Sequence, residues 1–215
     1  ILPGKTFLLP SKGHSSPVVQ NGKIWLTSAV ETPATKAEKE ERVKESKFPG
    51  AAGLHYLSKV KFLAIQLDLI TGNILKEVKV FEQRNPQAIH RLNSYASPSP
   101  LLVEGKLFVH FGTFGTACLN AETGHLIWKN QDPNLQIHHE NGPGSTPIAW
   151  KDLLIFHLDG TDKQSVVALD QRTGKLIWQT ERSGKLKENP QTKKAYATPM
   201  IAETEKGPLL ISTGA

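Results

Sequence analysis

One phrase is written three times along this chain, and it limits the possible fold more than any other feature. It reads Ala168-Leu169-Asp170-Gln171-Arg172-Thr173-Gly174-Lys175-Leu176-Ile177-Trp178 in its fullest form. It recurs from Cys118 through Asn120 and Gly124 to Trp128, and in weaker form from Gln66 through Asp68 and Gly72 to Lys76. Each copy runs from an apolar stretch into a polar turn and out along a second apolar stretch, which predicts a β-hairpin. The Asp or Asn accepts hydrogen bonds from the turn backbone. The glycine takes a positive φ that a residue with a Cβ resists. A chain that repeats a hairpin is built of units that bury their cores against one another.

A second hairpin precedes each copy. Pro17-Val18-Val19-Gln20-Asn21-Gly22-Lys23-Ile24-Trp25 places an Asn-Gly turn between two strands, a strong short-range hairpin signal. Similar segments start at Pro100 and Pro147, and a fourth opens at Thr198-Pro199-Met200-Ile201 with its turn at Glu205 to Pro208. Each unit is therefore four short antiparallel strands. The turn glycines recur every 50 to 52 residues and the prolines at 100, 147 and 199 every 47 to 52. That period with four strands per unit belongs to propeller blades rather than to helical solenoids.

The fold class is thus all-β, a β-propeller of four-stranded antiparallel blades present as an incomplete arc of about three to four blades. Residues 1–13 read as the end of a preceding strand, 14–80 as blade one, 95–130 as blade two, 144–180 as blade three and 196–215 as the start of blade four. Blade one carries an insertion over 29–61. Within it, Thr35 to Glu45 reads as a short exposed helix with opposite charges three or four residues apart, followed by a Pro-Gly loop. The insertion reads as a solvated excursion, with partner binding as the alternative. Three blades and part of a fourth do not close a ring, so the expectation is an N-terminal portion of a longer propeller. The rest would come from the same chain or from another protein chain.

The net charge of +6 allows attraction to anionic surfaces, but the Lys and Arg residues are scattered and alternate with no aromatic run, so nucleic acid is not an expected partner. No apolar run reaches the length of a membrane helix, and the sequence from Ile1 onward contains no signal-peptide pattern, so the start is expected to follow processing or to be a chosen boundary. The single cysteine, Cys118, stands where the next copy has Ala168, which predicts a small buried hydrophobe.

The densest polar cluster is His138-His139-Glu140-Asn141, in the connection between blades two and three. Adjacent histidines on an extended segment point apart, so a metal or substrate site here needs one of them with ligands from elsewhere. His90 occupies the equivalent connection one blade earlier and is the candidate to meet them near the axis. The main expectation for all five residues is local hydrogen bonding in loops. Asp159-Gly160-Thr161-Asp162 has the composition of a turn and lacks the ligand spacing of a calcium loop. His14, His110 and His157 border strands and read as local partners. No serine sits in a Gly-x-Ser-x-Gly elbow, and no glycine loop is followed by the Lys and helix of a phosphate cradle.

The phrase ending at Trp178, with Ser94-Tyr95-Ala96-Ser97-Pro98-Ser99-Pro100 and Gly115-Thr116-Ala117-Cys118-Leu119, resembles the repeat of pyrroloquinoline-quinone-type β-propellers, and in particular exported bacterial proteins of that group. The resemblance implies that the repeat tryptophan packs between blades, a role that carries over to Trp128 and Trp178. Lys76 holds that position in the first copy, so the first contact between blades is expected to be looser or filled otherwise, with the insertion as one candidate. The resemblance also implies a periplasmic or secreted address. It leaves two functions open. The favoured one is a non-catalytic binding or scaffolding module with no cofactor, as in the related outer-membrane assembly lipoprotein propeller. The alternative is a quinoprotein-type oxidoreductase using pyrroloquinoline quinone and Ca²⁺. The adjacent-cysteine disulfide of those enzymes cannot form with one cysteine, and no acidic cluster in the sequence makes a convincing calcium cage.

Overall fold

A computed structural model describes residues 6–9, 11–183 and 188–214. The first sheet contains β1 (Val18–Gln20), β2 (Lys23–Pro33), β4 (Leu57–Asp68) and β5 (Ile74–Arg84), paired in that order. Between β2 and β4 lie the helix α1 (Lys36–Glu45) and the two-residue β3 (Leu54–His55), which pairs with β6 (Ile89–His90). The second sheet is β7 (Leu101–Val103), β8 (Lys106–His110), β9 (Thr116–Asn120) and β10 (Leu126–Asn130). The third is β11 (Ile148–Trp150), β12 (Leu153–Asp159), β13 (Gln164–Asp170) and β14 (Leu176–Glu181). A two-stranded sheet follows, of β15 (Met200–Thr204) and β16 (Gly207–Ile211). All of these pairings are antiparallel.

Period-two alternation explains why the sheets stack face to face. In the second sheet Leu107, Val109, Ala117 and Leu119 face the first, where they meet Trp25, Phe62, Val80 and Phe81. The intervening residues Phe108 and Cys118, with Trp128, face the third sheet and meet Leu154, Phe156, Val167 and Leu169. A sheet buried on both faces reads as a near-continuous apolar run, as β8 does. The short first strands sit together, β7 against both β1 and β11, so the sheets fan out from one inner edge. Cys118 is fully buried, and burial pushes its thiol up to about 12.

The repeated turn is the same object three times. Oδ1 of Asp68 accepts from the N–H of Ile70 and from both the N–H and hydroxyl of Thr71, at 2.7–3.0 Å. Asn120 and Asp170 do the same for their threonines, Thr123 and Thr173. These bonds, led by those from Thr71 and Thr173, hold the Asp68 and Asp170 carboxyls below their ordinary value. The glycines that close the turns have φ of 74°, 76° and 70°.

Each turn glycine is also a seat for an aromatic ring from the preceding layer. A Cβ on Gly174 would lie 2.4 Å from the Trp128 ring, whose Nε1 donates to Gln171 O at 3.0 Å. At the first junction the seat is filled from an unexpected strand. Trp25 of β2 donates its Nε1 to Ala121 O at 3.1 Å, and its ring and the Lys76 stem lie against Gly124. Phe7 covers Gly72 in the same way. Trp25 is 2% exposed, and burying such a side chain stabilises by roughly 2–3 kcal/mol. The first junction is therefore closed by Trp25 together with the Lys76 stem and Val78, and not by the insertion. Trp178 packs beside Ile155, Val166 and Ala168 of its own sheet.

Two sequence boundaries shift. β2 continues to Pro33 and β4 starts at Leu57, because Leu57 and Val60 still point into the core shared with Phe62. The segment outside the sheet is therefore 34–56 rather than 29–61. At the start of the chain, residues 6–9, 11 and 13 form no strand, and Lys12 makes only an isolated bridge to Ala29; residues 1–5 and 10 of that expectation lie outside the described range. No helix among the described residues is long and apolar enough to cross a membrane.

Candidate functional site

Antiparallel order sorts the connections between two faces. The first-to-second and third-to-fourth strand turns share one face, tied by bonds such as Leu69 N–H to Gly22 O, Ala121 N–H to Gly105 O and Gln171 N–H to Asp152 O, at 2.8–2.9 Å. The second-to-third strand connections and the links between sheets share the other. The insertion, the histidine cluster, His90 and the Asp159 to Asp162 turn therefore lie on this loop face.

The insertion is held down on that face. Thr35 and Glu38 cap α1 reciprocally, Thr35 Oγ1 accepting from Glu38 N–H and Glu38 Oε2 from Thr35 N–H. Arg42 donates Nη1 to Leu57 O at 2.9 Å and Nη2 to Pro86 O at 2.5 Å, with its guanidinium 4.9 Å from the centre of the Tyr56 ring. Val43 and Phe48 pack on Leu54, Tyr56 and Ala88. The expected solvated excursion is instead one wall of a cleft.

That cleft, of about 900 Å³, runs between the insertion and the links that follow the first, second and third sheets. Phe48, Leu54, Tyr56 and Ala88 form its apolar side, and Gln87, His138, Glu140, Asp162, Asn189 and Gln191 its polar side. Arg42, Glu45 and Lys47 stand at the insertion wall.

The predicted residues divide. His138 is open to the cleft, while His139 is buried, as neighbours on an extended segment must be. His138 N–H donates to Asp162 Oδ1 at 2.8 Å, and its carbonyl accepts from Thr161 N–H at 2.8 Å. Burial, with the Lys194 charge next, pushes the His139 imidazole down to about 4, so it is neutral near pH 7. Its ring meets Tyr196 edge-on at 5.2 Å, and the Asn141 amide donates to the Tyr196 hydroxyl. Glu140 pairs with Lys194 at 2.7 Å, and both side chains are at least nine-tenths buried. Burial would raise the Glu140 carboxyl, but the Lys194 hydrogen bond and charge outweigh it and hold it below the ordinary value. Such a pair is costly to break, since removing one partner strands a buried charge.

His90 does not join them. It is exposed on β6, absent from the cleft lining, and its Nδ1 accepts from Leu92 N–H at 3.2 Å. The two links do meet, through other side chains: Asn93 Nδ2 donates to Asn141 O at 2.6 Å, and Gln87 Oε1 accepts from His139 N–H at 3.1 Å. Lys194, Gln87 and the insertion wall carried no sequence signal beyond ordinary polarity. The Asp159 turn serves structure, with Asp159 clamped by Arg182 Nε and Nη2, each at 2.7 Å. His157 meets Ser212 at 2.9 Å and His110 meets Thr116 at 2.8 Å, both as local partners.

Among the described residues, the cleft does not offer the oxygen donor set that Ca²⁺ beside a quinone would take. Calcium takes six to eight oxygen ligands. Among the described residues no three His, Cys, Asp or Glu side chains are grouped to hold a metal ion. In the cleft, Glu140 is committed to Lys194 and one oxygen of Asp162 to the His138 backbone.

A stack of four-stranded antiparallel sheets with a docking aromatic on each turn glycine, and its open cleft on the loop face, defines a β-propeller of the pyrroloquinoline-quinone-type repeat. The family model described as outer membrane protein assembly factor BamB matches residues 22–213. The chain belongs to that family. No curated protein matches the chain. Among solved structures it is similar to a quinohemoprotein alcohol dehydrogenase of Pseudomonas putida HK5 at 16% identity and a TM-score of 0.47, covering 97% of this chain and 40% of that one. It is similar to BamB of Moraxella catarrhalis at 18% identity and a TM-score of 0.37, covering 58% and 34%. A europium-containing methanol dehydrogenase gives 16% identity and a TM-score of 0.46, covering 81% and 25%. The chain thus spans well under half the length of each of these proteins.

Proposed function

We propose that this propeller is a non-catalytic binding or scaffolding module working outside the cytoplasm, and that its loop face is the binding surface. The observation that carries the reading is the cleft itself, in which an insertion tied down by Arg42 adds a wall to links between otherwise regular sheets. Rigid scaffolds commonly carry function on such loops. Membership in a family described by outer membrane assembly supports a cell-envelope setting. The reading also needs the rest of a propeller ring, from a longer chain or a second protein. Titrating the full-length protein with pyrroloquinoline quinone in the presence of Ca²⁺, and following the quinone absorbance, tests the absence of catalysis. No saturable change is expected. Saturation accompanied by alcohol oxidation would replace the scaffold with an oxidoreductase.

A further inference from the structure

A second groove of about 360 Å³ adjoins the cleft, and the two share Gln87, His138 and Asp162 as lining residues. The clasp between His138 and Asp162 stands at their junction. Four of the ten glutamines in the chain line this groove, Gln83, Gln87, Gln131 and Gln136, and Asn85 joins them. They come from the end of β5, from the link after it and from the link between the second and third sheets. Among the described residues, the ionisable side chains on the groove wall are His138 and Asp162.

A primary carboxamide presents donors and an acceptor side by side. In an extended strand one residue presents its own N–H and C=O on the same edge, so a carboxamide can pair with both through two parallel hydrogen bonds. Several of these amides are already oriented by internal bonds, and Gln87 by two, since its Oε1 also accepts from His139 N–H. Gln131 Nε2 donates to Phe114 O at 3.0 Å, Gln87 Nε2 to Ile137 O at 3.4 Å, and Gln83 Nε2 to Arg84 O at 3.0 Å. Each carboxamide has further bonding capacity beyond such a contact. Gln136 and Asn85 are exposed at the groove.

We propose that the joined groove and cleft bind an extended polypeptide segment, its backbone read by the carboxamides and one large apolar side chain seated against Phe48, Leu54 and Ala88. An extended strand sends successive side chains to opposite sides, so a segment paired along the amides can drop a side chain onto that apolar wall. A saccharide would satisfy the amides but has no side chain for the wall. Charges of both signs ring the cleft, so net charge does not select the segment. This inference rests on the loop face being a protein-binding surface, and it supplies the chemistry of the partner.

The test follows the side-chain NH₂ resonances of ¹⁵N-labelled full-length protein. The probe is a pool of capped octapeptides alternating Leu or Phe with Ser or Gln, and the control is the same pool with alternate backbone nitrogens methylated. The expected result is saturable shifts at Gln83, Asn85, Gln87, Gln131 and Gln136, with affinity about 10-fold weaker or worse for the methylated pool, because stranded acceptors and donors are costly. Gln136→Glu and Asn85→Asp should weaken binding while leaving the urea midpoint unchanged. Equal binding of both pools, no shift with the peptide pool, or shifts with chitotetraose in its place would each overturn the proposal. Loop-face cross-links to an envelope protein would survive that failure, which separates this inference from the broader reading.

Discussion

Replacing Gly174 with alanine separates the docking of an aromatic ring from the needs of the turn itself. Gly174 and Gly105 have nearly the same backbone, with φ of +70° and +73°. A Cβ on Gly105 meets nothing within 4 Å, whereas on Gly174 it would lie 2.4 Å from Cε3 and 2.6 Å from Cδ2 of Trp128. The left-handed conformation costs a residue with a Cβ about 1–2 kcal/mol, and both substitutions incur it. The Trp128 ring cannot simply step aside, because it is 8% exposed and its Nε1 is bonded to Gln171 O. Forcing a methyl into such a contact adds about 1–3 kcal/mol. Gly105→Ala should therefore lose about 1–2 kcal/mol, and Gly174→Ala about 2–5 kcal/mol. Urea unfolding reads both from midpoint and slope. In a Trp128→Ala background the excess at Gly174 should vanish, a coupling of about 1–3 kcal/mol. Equal losses at the two glycines, or an excess that persists without the indole, would refute the docking argument.

Stability should fall as pH drops from about 6.5 toward 4.5. Burial is the leading cause that holds His110 at about 3, His139 at about 4 and His157 below its ordinary value, so the unfolded state binds more protons than the native state in that window. His110 and His139 each contribute a slope approaching about 1.4 kcal/mol per pH unit, with His157 acting in the same direction, and His110→Gln should flatten the curve measured by denaturant midpoint against pH; a slope that is flat from the outset contradicts the burial argument. Arg42→Gln should lower hydrogen-exchange protection in Lys36–Glu45 by about 10-fold or more while leaving the β2 and β4 ladder protected; unchanged exchange in the helix would show that the insertion is held by other contacts. Cys118 should react with a thiol reagent only at the rate of unfolding, since its thiol is buried and pushed up to about 12; fast labelling of the native protein would contradict its place between the sheets.

The turn, the four-strand unit and the stacking were legible in the sequence because they rest on local chemistry. Asp170, Thr173 and Gly174 specify their own hydrogen bonds and φ wherever they occur, and β-alternation assigns faces without reference to the rest of the chain. Trp25 was not legible as the replacement for Lys76. It lies on a different strand of the blade, and only the three-dimensional register brings its ring over Gly124. The candidate site was half legible. Glu140 stood out as part of a polar cluster, but its partner Lys194 follows 54 residues later with no motif around it. His90 was grouped with His138 because their links are equivalent, yet equivalence of links fixes neither side-chain direction nor reach. The carboxamide groove was invisible for a related reason. Glutamine carries no spacing rule, so residues 83, 87, 131 and 136 reveal their shared wall only when the links converge.

The central claim is that the loop face, and not the turn face, meets the partner. The most direct measurement places a photo-cross-linking amino acid at Glu45 or Gln136 on the loop face, or at Arg172 on the turn face, in the full-length protein in intact cells, and compares the adducts. All three positions are exposed. The account predicts a discrete protein adduct from Glu45 and Gln136 and none from Arg172. Adducts from Arg172 alone would contradict it.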